Sequence, residues 1–118
     1  MAFLFESFEG WKTYCSDKKK TIIEVVLEYE QEQKNRTEKQ IWEGLGKAWE
    51  VMKDAVRTGL EEDMTSRSGM INNGAKKVYR HNQTVLSKEF QNLISRALAA
   101  KEVNSCMGRI VAAPTAGA

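Results

Sequence analysis

Two stretches of this 118-residue sequence hold residue types that can grip a small polar molecule. The first, Thr65-Ser-Arg-Ser-Gly-Met-Ile-Asn-Asn-Gly-Ala75, mixes hydroxyls, amides and two glycines. Hydroxyls and amides donate and accept hydrogen bonds, and glycine lets a backbone bend around a ligand. The segment therefore reads either as a surface connection or as a binding loop for a polar ligand. The second stretch is the terminal run Asn104-Ser-Cys-Met-Gly-Arg-Ile-Val-Ala-Ala-Pro-Thr-Ala-Gly-Ala118. Arg109 is its only charge and Pro114 is the only proline of the sequence. Small side chains from Pro114 to Ala118 let a backbone approach a ligand closely, and Gly117 can take positive φ at little cost. A turn of this kind aims unpaired N–H groups at an anion such as a carboxylate. A domain rarely closes on an apolar, turn-forming run, so the sequence is expected to continue past Ala118.

Other chemistry is thinly represented. Cys15 and Cys106 stand far apart, and His81 is the only histidine. A metal site needs several ligands at close spacing, so neither zinc nor an iron–sulfur cluster is expected to be held within these residues. His81 lies in the polar run Arg80-His-Asn-Gln83 and reads as a solvent-facing side chain, not a catalyst.

Charge and composition narrow the classes further. Eighteen basic and 16 acidic residues leave a formal charge of +2, with no concentrated basic face for nucleic acid. Lys18-Lys19-Lys20 and Glu61-Glu62-Asp63 read as solvated positions. A hydrophobic fraction of 42% and a charged fraction of 29% are those of a soluble globular protein forming one modest domain. Met-Ala-Phe-Leu-Phe at the start is too short for a signal-peptide core, and Glu6 interrupts it. No run approaches the roughly 18 apolar residues of a membrane span. Cytoplasm is therefore the expected location, with no membrane partner.

These stretches must be positioned by helices. Leu4, Phe8, Trp11 and Cys15 make one helical stripe over Phe3 to Cys15. Ser16-Asp17 offers a cap for a second helix reaching about Lys34, with Ile22, Ile23, Val26 and Tyr29 on one side and Val25 and Leu27 widening it. Thr37-Glu-Lys-Gln40 is a capping box for a third. In that third helix Ile41, Leu45, Ala48, Met52 and Ala55 form a stripe, with Trp42, Trp49 and Val56 beside it. The tryptophans read as core packing, and Gly59 as the C′ residue that ends the helix. A loop from Leu60 to Lys77 leads to a short helix at Val78-Tyr79. Ser87 then caps a fifth helix whose Phe90, Leu93, Ile94, Ala97, Leu98 and Lys101 share the usual spacing. Alanines 97, 99 and 100 permit close approach of a neighbour. The expected class is all-α: a bundle of about five helices with two loop segments lining a site.

The terminal block Glu102-Val-Asn-Ser-Cys-Met-Gly-Arg-Ile-Val-Ala-Ala-Pro-Thr-Ala-Gly-Ala118 closely resembles the E-V-N-A-x-M-G-x-I-x-A-x-P-T-A-G block of iron–sulfur-dependent L-serine dehydratases (L-serine ammonia-lyases). Val51-Met-Lys-Asp-Ala-Val56, Gly59-Leu-Glu61, Thr65-Ser-x-Ser-Gly-Met70 and Gly74-Ala75-Lys76 match in the same order. The resemblance covers nearly the whole chain and is nearest to the alpha chain of the two-subunit form. It implies a cytoplasmic lyase that converts L-serine to pyruvate and ammonia with a [4Fe–4S] cluster in place of pyridoxal phosphate, one iron acting as a Lewis acid on the serine hydroxyl. It also implies a beta subunit as partner.

Carried over residue by residue, the resemblance makes Pro114, Thr115, Ala116 and Gly117 the turn that holds the substrate carboxylate. Ser66, Ser68 and Gly69 line the same pocket, and Asn104 and Arg109 position the turn. For Arg109 a salt bridge or helix-end contact is as good a reading as substrate contact. The family's cluster cysteines lie downstream of this turn. Cys106 falls where a small residue is expected and, like Cys15, reads as a packed thiol and not an iron ligand. Residues 1–118 are accordingly expected to be the N-terminal part of an all-helical catalytic domain, ending before its cluster-binding region and inactive alone. The competing class is a non-catalytic helical interaction module. It is distinguished by whether coding sequence beyond Ala118 carries at least three cysteines.

Overall fold

The computed structural model describes residues 7–112, and the class is the all-α one expected. Among these residues five helices run in the order α1 (Phe8–Lys18), α2 (Ile22–Lys34), α3 (Glu38–Glu61), α4 (Gly74–Arg80) and α5 (Lys88–Ser105). Among the described residues there is no strand, only an isolated antiparallel bridge between Thr65 and Asn72. The chain divides into two compact units, Met1–Gly46 and Lys47–Ala118.

Hydroxyl caps set where four of the helices begin. Ser7 accepts from the Gly10 N–H at 3.2 Å to start α1. At α3 the capping box forms in both directions: Thr37 N–H donates to Gln40 Oε1 at 2.9 Å, and Gln40 N–H to Thr37 Oγ1 at 3.3 Å. Ser87 accepts from the Phe90 N–H at 3.2 Å and opens α5. The cap expected at Ser16-Asp17 is not used. Helix α1 continues through both residues and closes at Lys19, which adopts φ 51°. Helix α2 instead starts from Thr21, whose backbone and side chain form a reciprocal box with Glu24. A Thr three residues ahead of a Glu satisfies two orphan N–H groups, which Ser16-Asp17 cannot match.

In the first unit α1 packs on α2. Val25 is its fully buried side chain, whereas Ile22 and Ile23, expected on the inner face, are exposed. Phe8 is exposed too, and Leu4 lies outside the described residues.

The second unit is built on small residues. Ala55, Ala75, Ala99 and Val103 are its buried apolar side chains, joined by Ser95 and by Gly59. Gly59 does not end α3, which continues to Glu61. It lies where α3 meets α5, and a Cβ built on it would stand 2.5 Å from the Ala99 carbonyl oxygen and 2.6 Å from Ala99 Cα. Close approach at Ala99 was anticipated, and Gly59 is its other half. The expected inner face of α5 is corrected by one step around the helix: Gln91, Ser95, Ala99, Glu102 and Val103 are buried, and Phe90, Leu93 and Ala97 are exposed. Trp42 and Trp49, expected in the core, are 52% and 59% exposed.

Helix α5 lies antiparallel along α4 and satisfies both of its ends. The Gln91 amide donates to the carbonyls of Val78 and His81 at 2.5 and 2.7 Å, and the Glu102 carboxylate receives the Ala75 N–H. A short helix has few intrahelical bonds relative to its orphan groups, so these side chains supply much of what fixes α4 in place.

Candidate functional site

The polar loop is a compact hairpin that carries its own hydrogen bonds. At its base Met64 N–H donates to Asn73 Oδ1 at 2.7 Å, and Asn73 N–H returns a bond to the Met64 carbonyl at 2.9 Å. Asn73 adopts φ 56°, a left-handed conformation that asparagine tolerates better than most residues. Further out Ser66 N–H bonds the Ile71 carbonyl at 3.1 Å, and Gly69 N–H closes a turn on the Ser66 carbonyl at 2.9 Å. Gly69 holds φ 74°, where a Cβ would be strained.

The two candidate hydroxyls meet at the hairpin's tip, Ser66 Oγ standing 3.2 Å from Ser68 Oγ. Ser66 Oγ also accepts the Ile71 N–H at 3.1 Å, and Ser68 Oγ the Met70 N–H at 3.4 Å. Two hydroxyls carry two protons, of which one is used between them. The other can be donated outward to an anion, so the pair is a pre-set donor. Ser68 is solvent-exposed and Ser66 half-buried, so such an anion can reach them.

The second group of candidate residues follows α5. Asn104 occupies the last turn, and its carbonyl accepts the Met107 N–H at 3.1 Å. Gly108 N–H bonds the Val103 carbonyl at 2.8 Å, completing a two-bond helix stop. The left-handed position of that stop, usually glycine, is Met107 at φ 64°. The glycine is needed one residue later, because a Cβ on Gly108 would lie 2.5 Å from Val103 Cγ1. This turn aims the chain at Arg109, which is exposed and lines an open cleft with Glu50, Val51 and Asp54 of α3. No hairpin residue lines that cleft among the described ones. The turn Pro114, Thr115, Ala116 and Gly117 lies outside the described residues.

Two contacts absent from the sequence reading tie these parts together. Lys76 Nζ reaches Asp63 Oδ1 at 2.7 Å across the hairpin's base and, as hydrogen-bond donor first and as charge second, holds the Asp63 carboxyl below its usual range. Glu102, the first residue of the terminal block, places both carboxylate oxygens 3.2 Å from the Ala75 N–H and is only 5% exposed. A signal for Glu102 did exist. It falls three turns beyond Gln91, on the same face as Ser95 and Ala99, so a charged residue continues an otherwise small and neutral buried stripe.

Cys15 and Cys106 are both half-buried free thiols, more open than the packed positions expected of them. Among the described residues no three His, Cys, Asp or Glu side chains approach as a metal-ligand set, so these residues do not fit an iron–sulfur cluster. No helix described here is long and apolar enough to cross a membrane.

The hairpin, α4, α5 and the block after it all fall inside residues 17–118, which match the family model described as serine dehydratase alpha chain. The chain belongs to that family. A serine dehydratase alpha chain region of this length also aligns with two curated relatives. It is 30% identical over 106 residues to the L-serine dehydratase alpha chain of Peptoniphilus asaccharolyticus, covering 87% of this chain and 36% of that protein. It is 32% identical over 117 residues to the probable L-serine dehydratase alpha chain of Bacillus subtilis (strain 168), covering 97% of this chain and 39% of that one. The chain thus spans well under half the length of these two relatives. No solved structure matches it significantly.

Proposed function

We propose that this chain forms part of an L-serine ammonia-lyase, acting in the cytoplasm on L-serine to give pyruvate and ammonia. The observation that carries the reading is the family match over residues 17–118, which takes in both the hydroxyl hairpin and the block after α5. In this reading the Ser66–Ser68 pair donates to the substrate carboxylate, and the Pro114–Gly117 turn adds backbone N–H groups and the Thr115 hydroxyl. Asn104 and Arg109 orient that turn. Holding the carboxylate fixes the substrate's α-carbon for proton removal and limits its motion as water leaves. The described residues give a [4Fe–4S] cluster no ligand set, so its thiolates are proposed to come from elsewhere in the enzyme. A beta subunit is the proposed protein partner.

The test is anaerobic co-expression of the full-length gene with its companion chain, followed by pyruvate release from L-serine. Expected is turnover that an iron chelator abolishes and iron with sulfide restores. A colourless complex that makes no pyruvate after such loading counts against the reading. Thr115→Ala and Ser66→Ala should each raise the serine requirement by about tenfold, the worth of one hydrogen bond to a charged group. An unchanged requirement removes that residue from the site.

The exposed apolar side chains Trp42, Leu45 and Trp49 of α3 favour a second role for the same region, as a helical surface that docks a partner. If docking is its only role, the assembled complex binds its partner and leaves L-serine untouched.

A further inference from the structure

Glu102 is a buried carboxylate in the block that, on the serine dehydratase reading, approaches the substrate, and it invites assignment as the general base. The geometry points elsewhere. We infer that Glu102 is a positioning residue: it holds the Ser66–Ser68 hairpin in place through the first turn of α4 and exchanges no proton with substrate.

Three observations support this. A general base must come within hydrogen-bond reach of the proton it removes. Both oxygens of Glu102 instead stand 3.2 Å from the Ala75 N–H, and the residue is 5% exposed. Next, the space it occupies is shaped for it. A Cβ on Gly74 would come within 2.6 Å of Glu102 Oε1, so a glycine at the start of α4 leaves the carboxylate its seat. Finally, a short covalent path links this seat to the hydroxyls. Ala75 follows Gly74 and Asn73, and Asn73 closes the hairpin's base on Met64 with both its backbone N–H and its side-chain oxygen. From there the paired segments lead to Ser66, whose backbone N–H bonds Ile71. Gln91 acts at the other end of α4 by donating to Val78 and His81. With an acceptor at the N-terminal end and a donor at the C-terminal end, α5 fixes α4 in both position and direction. The hairpin inherits that placement at its base.

The experiment uses the intact enzyme with its companion chain and compares Glu102→Ala, Glu102→Gln and Gly74→Ala with wild type. Amide hydrogen exchange over residues 64–75 and the KM and kcat for L-serine are both measured. Glu102→Ala deletes the acceptor and should speed exchange at Ala75 and the hairpin base by about tenfold. It should raise KM by a similar factor and leave kcat within about threefold, because binding is loosened while the reacting groups stay. Glu102→Gln keeps an acceptor oxygen and should restore both quantities to within about threefold of wild type. Gly74→Ala leaves the carboxylate present but displaces it, so it should reproduce the Ala phenotype and answers the question if Glu102→Ala fails to assemble. Unchanged exchange in both Glu102→Ala and Gly74→Ala overturns the inference. So does a fall in kcat of more than about tenfold in both the Ala and the Gln variants, which would make the proton and not the acceptor essential. Faster exchange with an unmoved KM also overturns it, since the hairpin would then not serve substrate. Wild-type enzyme that leaves L-serine unchanged sinks the serine dehydratase reading instead, and the exchange data still decide whether Glu102 holds the hairpin.

Discussion

Helix α5 has two faces of opposite character, and α3 repeats the contrast. Inside, Gly59 of α3 lies against Ala99 of α5, Ala55 and Ser95 are buried as well, and Gln91 and Glu102 stand toward the two ends of the buried stripe. Outside are Trp42, Leu45 and Trp49 on α3 and Phe90 and Leu93 on α5. Burying a large apolar side chain contributes roughly 1.5–3 kcal/mol, so a helix left to itself would turn the larger face inward. Here the inward face gains from backbones in close contact and from polar groups that cap a neighbour. The outward face keeps the apolar mass where only another surface can cover it.

The contrast breaks most visibly at Gly59. Valine there places its Cβ 2.5–2.7 Å from the Ala99 backbone and side chain, and backbone cannot yield as a flexible side chain would. Gly59→Val should lower unfolding stability by about 3 kcal/mol, despite the poorer helix propensity of glycine. Urea unfolding monitored by circular dichroism reads this directly. A loss below about 1 kcal/mol would mean that α3 and α5 can part without consequence, within the ordinary range of point substitutions. The same assay on Met107→Gly should move the other way. Met107 holds φ 64° with its side chain 93% exposed, so glycine relieves left-handed strain without deleting a packed group, for a gain of about 1 kcal/mol. The outward face predicts the smallest change in folding. Trp49→Ser should leave stability of this chain within about 0.5 kcal/mol, as for most exposed positions. A large stability loss would place Trp49 in the core after all.

Two helix starts governed by local chemistry were readable in the sequence, although the start of α2 falls at Thr21 and not at the expected Ser16-Asp17. Thr37 to Gln40 and Ser87 act within four residues of themselves, and the structure uses both. The faces were less readable. A periodicity of apolar residues marks a stripe that seeks cover, but it does not say that the cover belongs to the same region. For Phe90, Leu93, Trp42 and Trp49 the described residues do not supply it. Gly59 looked like a helix end because glycine favours such ends, and only the neighbour at Ala99 shows the competing reason for it. The hairpin's hydroxyls were identified by type. Their pairing depends on the Ser66–Ile71 and Ser66–Gly69 backbone bonds, which no side-chain pattern announces. Helical register puts Glu102 on the face of Ser95 and Ala99, but its partner, a backbone N–H 27 residues away, leaves no mark in the sequence.

The hairpin's base offers the finest test, because two carboxylates act there from opposite environments. Glu102 is enclosed, whereas the Asp63 side chain is 86% exposed and meets a Lys76 side chain only 14% exposed. The Lys76 hydrogen bond, and then its charge, lower the Asp63 pKa from the ordinary 3.8. A carboxylate whose folded value is depressed contributes stability that is present above its unfolded value and lost as pH falls through the folded one. Solvent screens an exposed pair, so the contribution is small. Asp63→Asn should therefore lower the urea midpoint slightly at pH 7, and the difference from wild type should shrink as pH drops below 3.8 and vanish once Asp63 is protonated in the folded chain. Added salt at pH 7 should narrow the same gap. A difference that persists unchanged in acid would show that Asp63 acts through its shape at the turn and not through its charge. The tether across the hairpin's base would then rest on Asn73 and Glu102 alone.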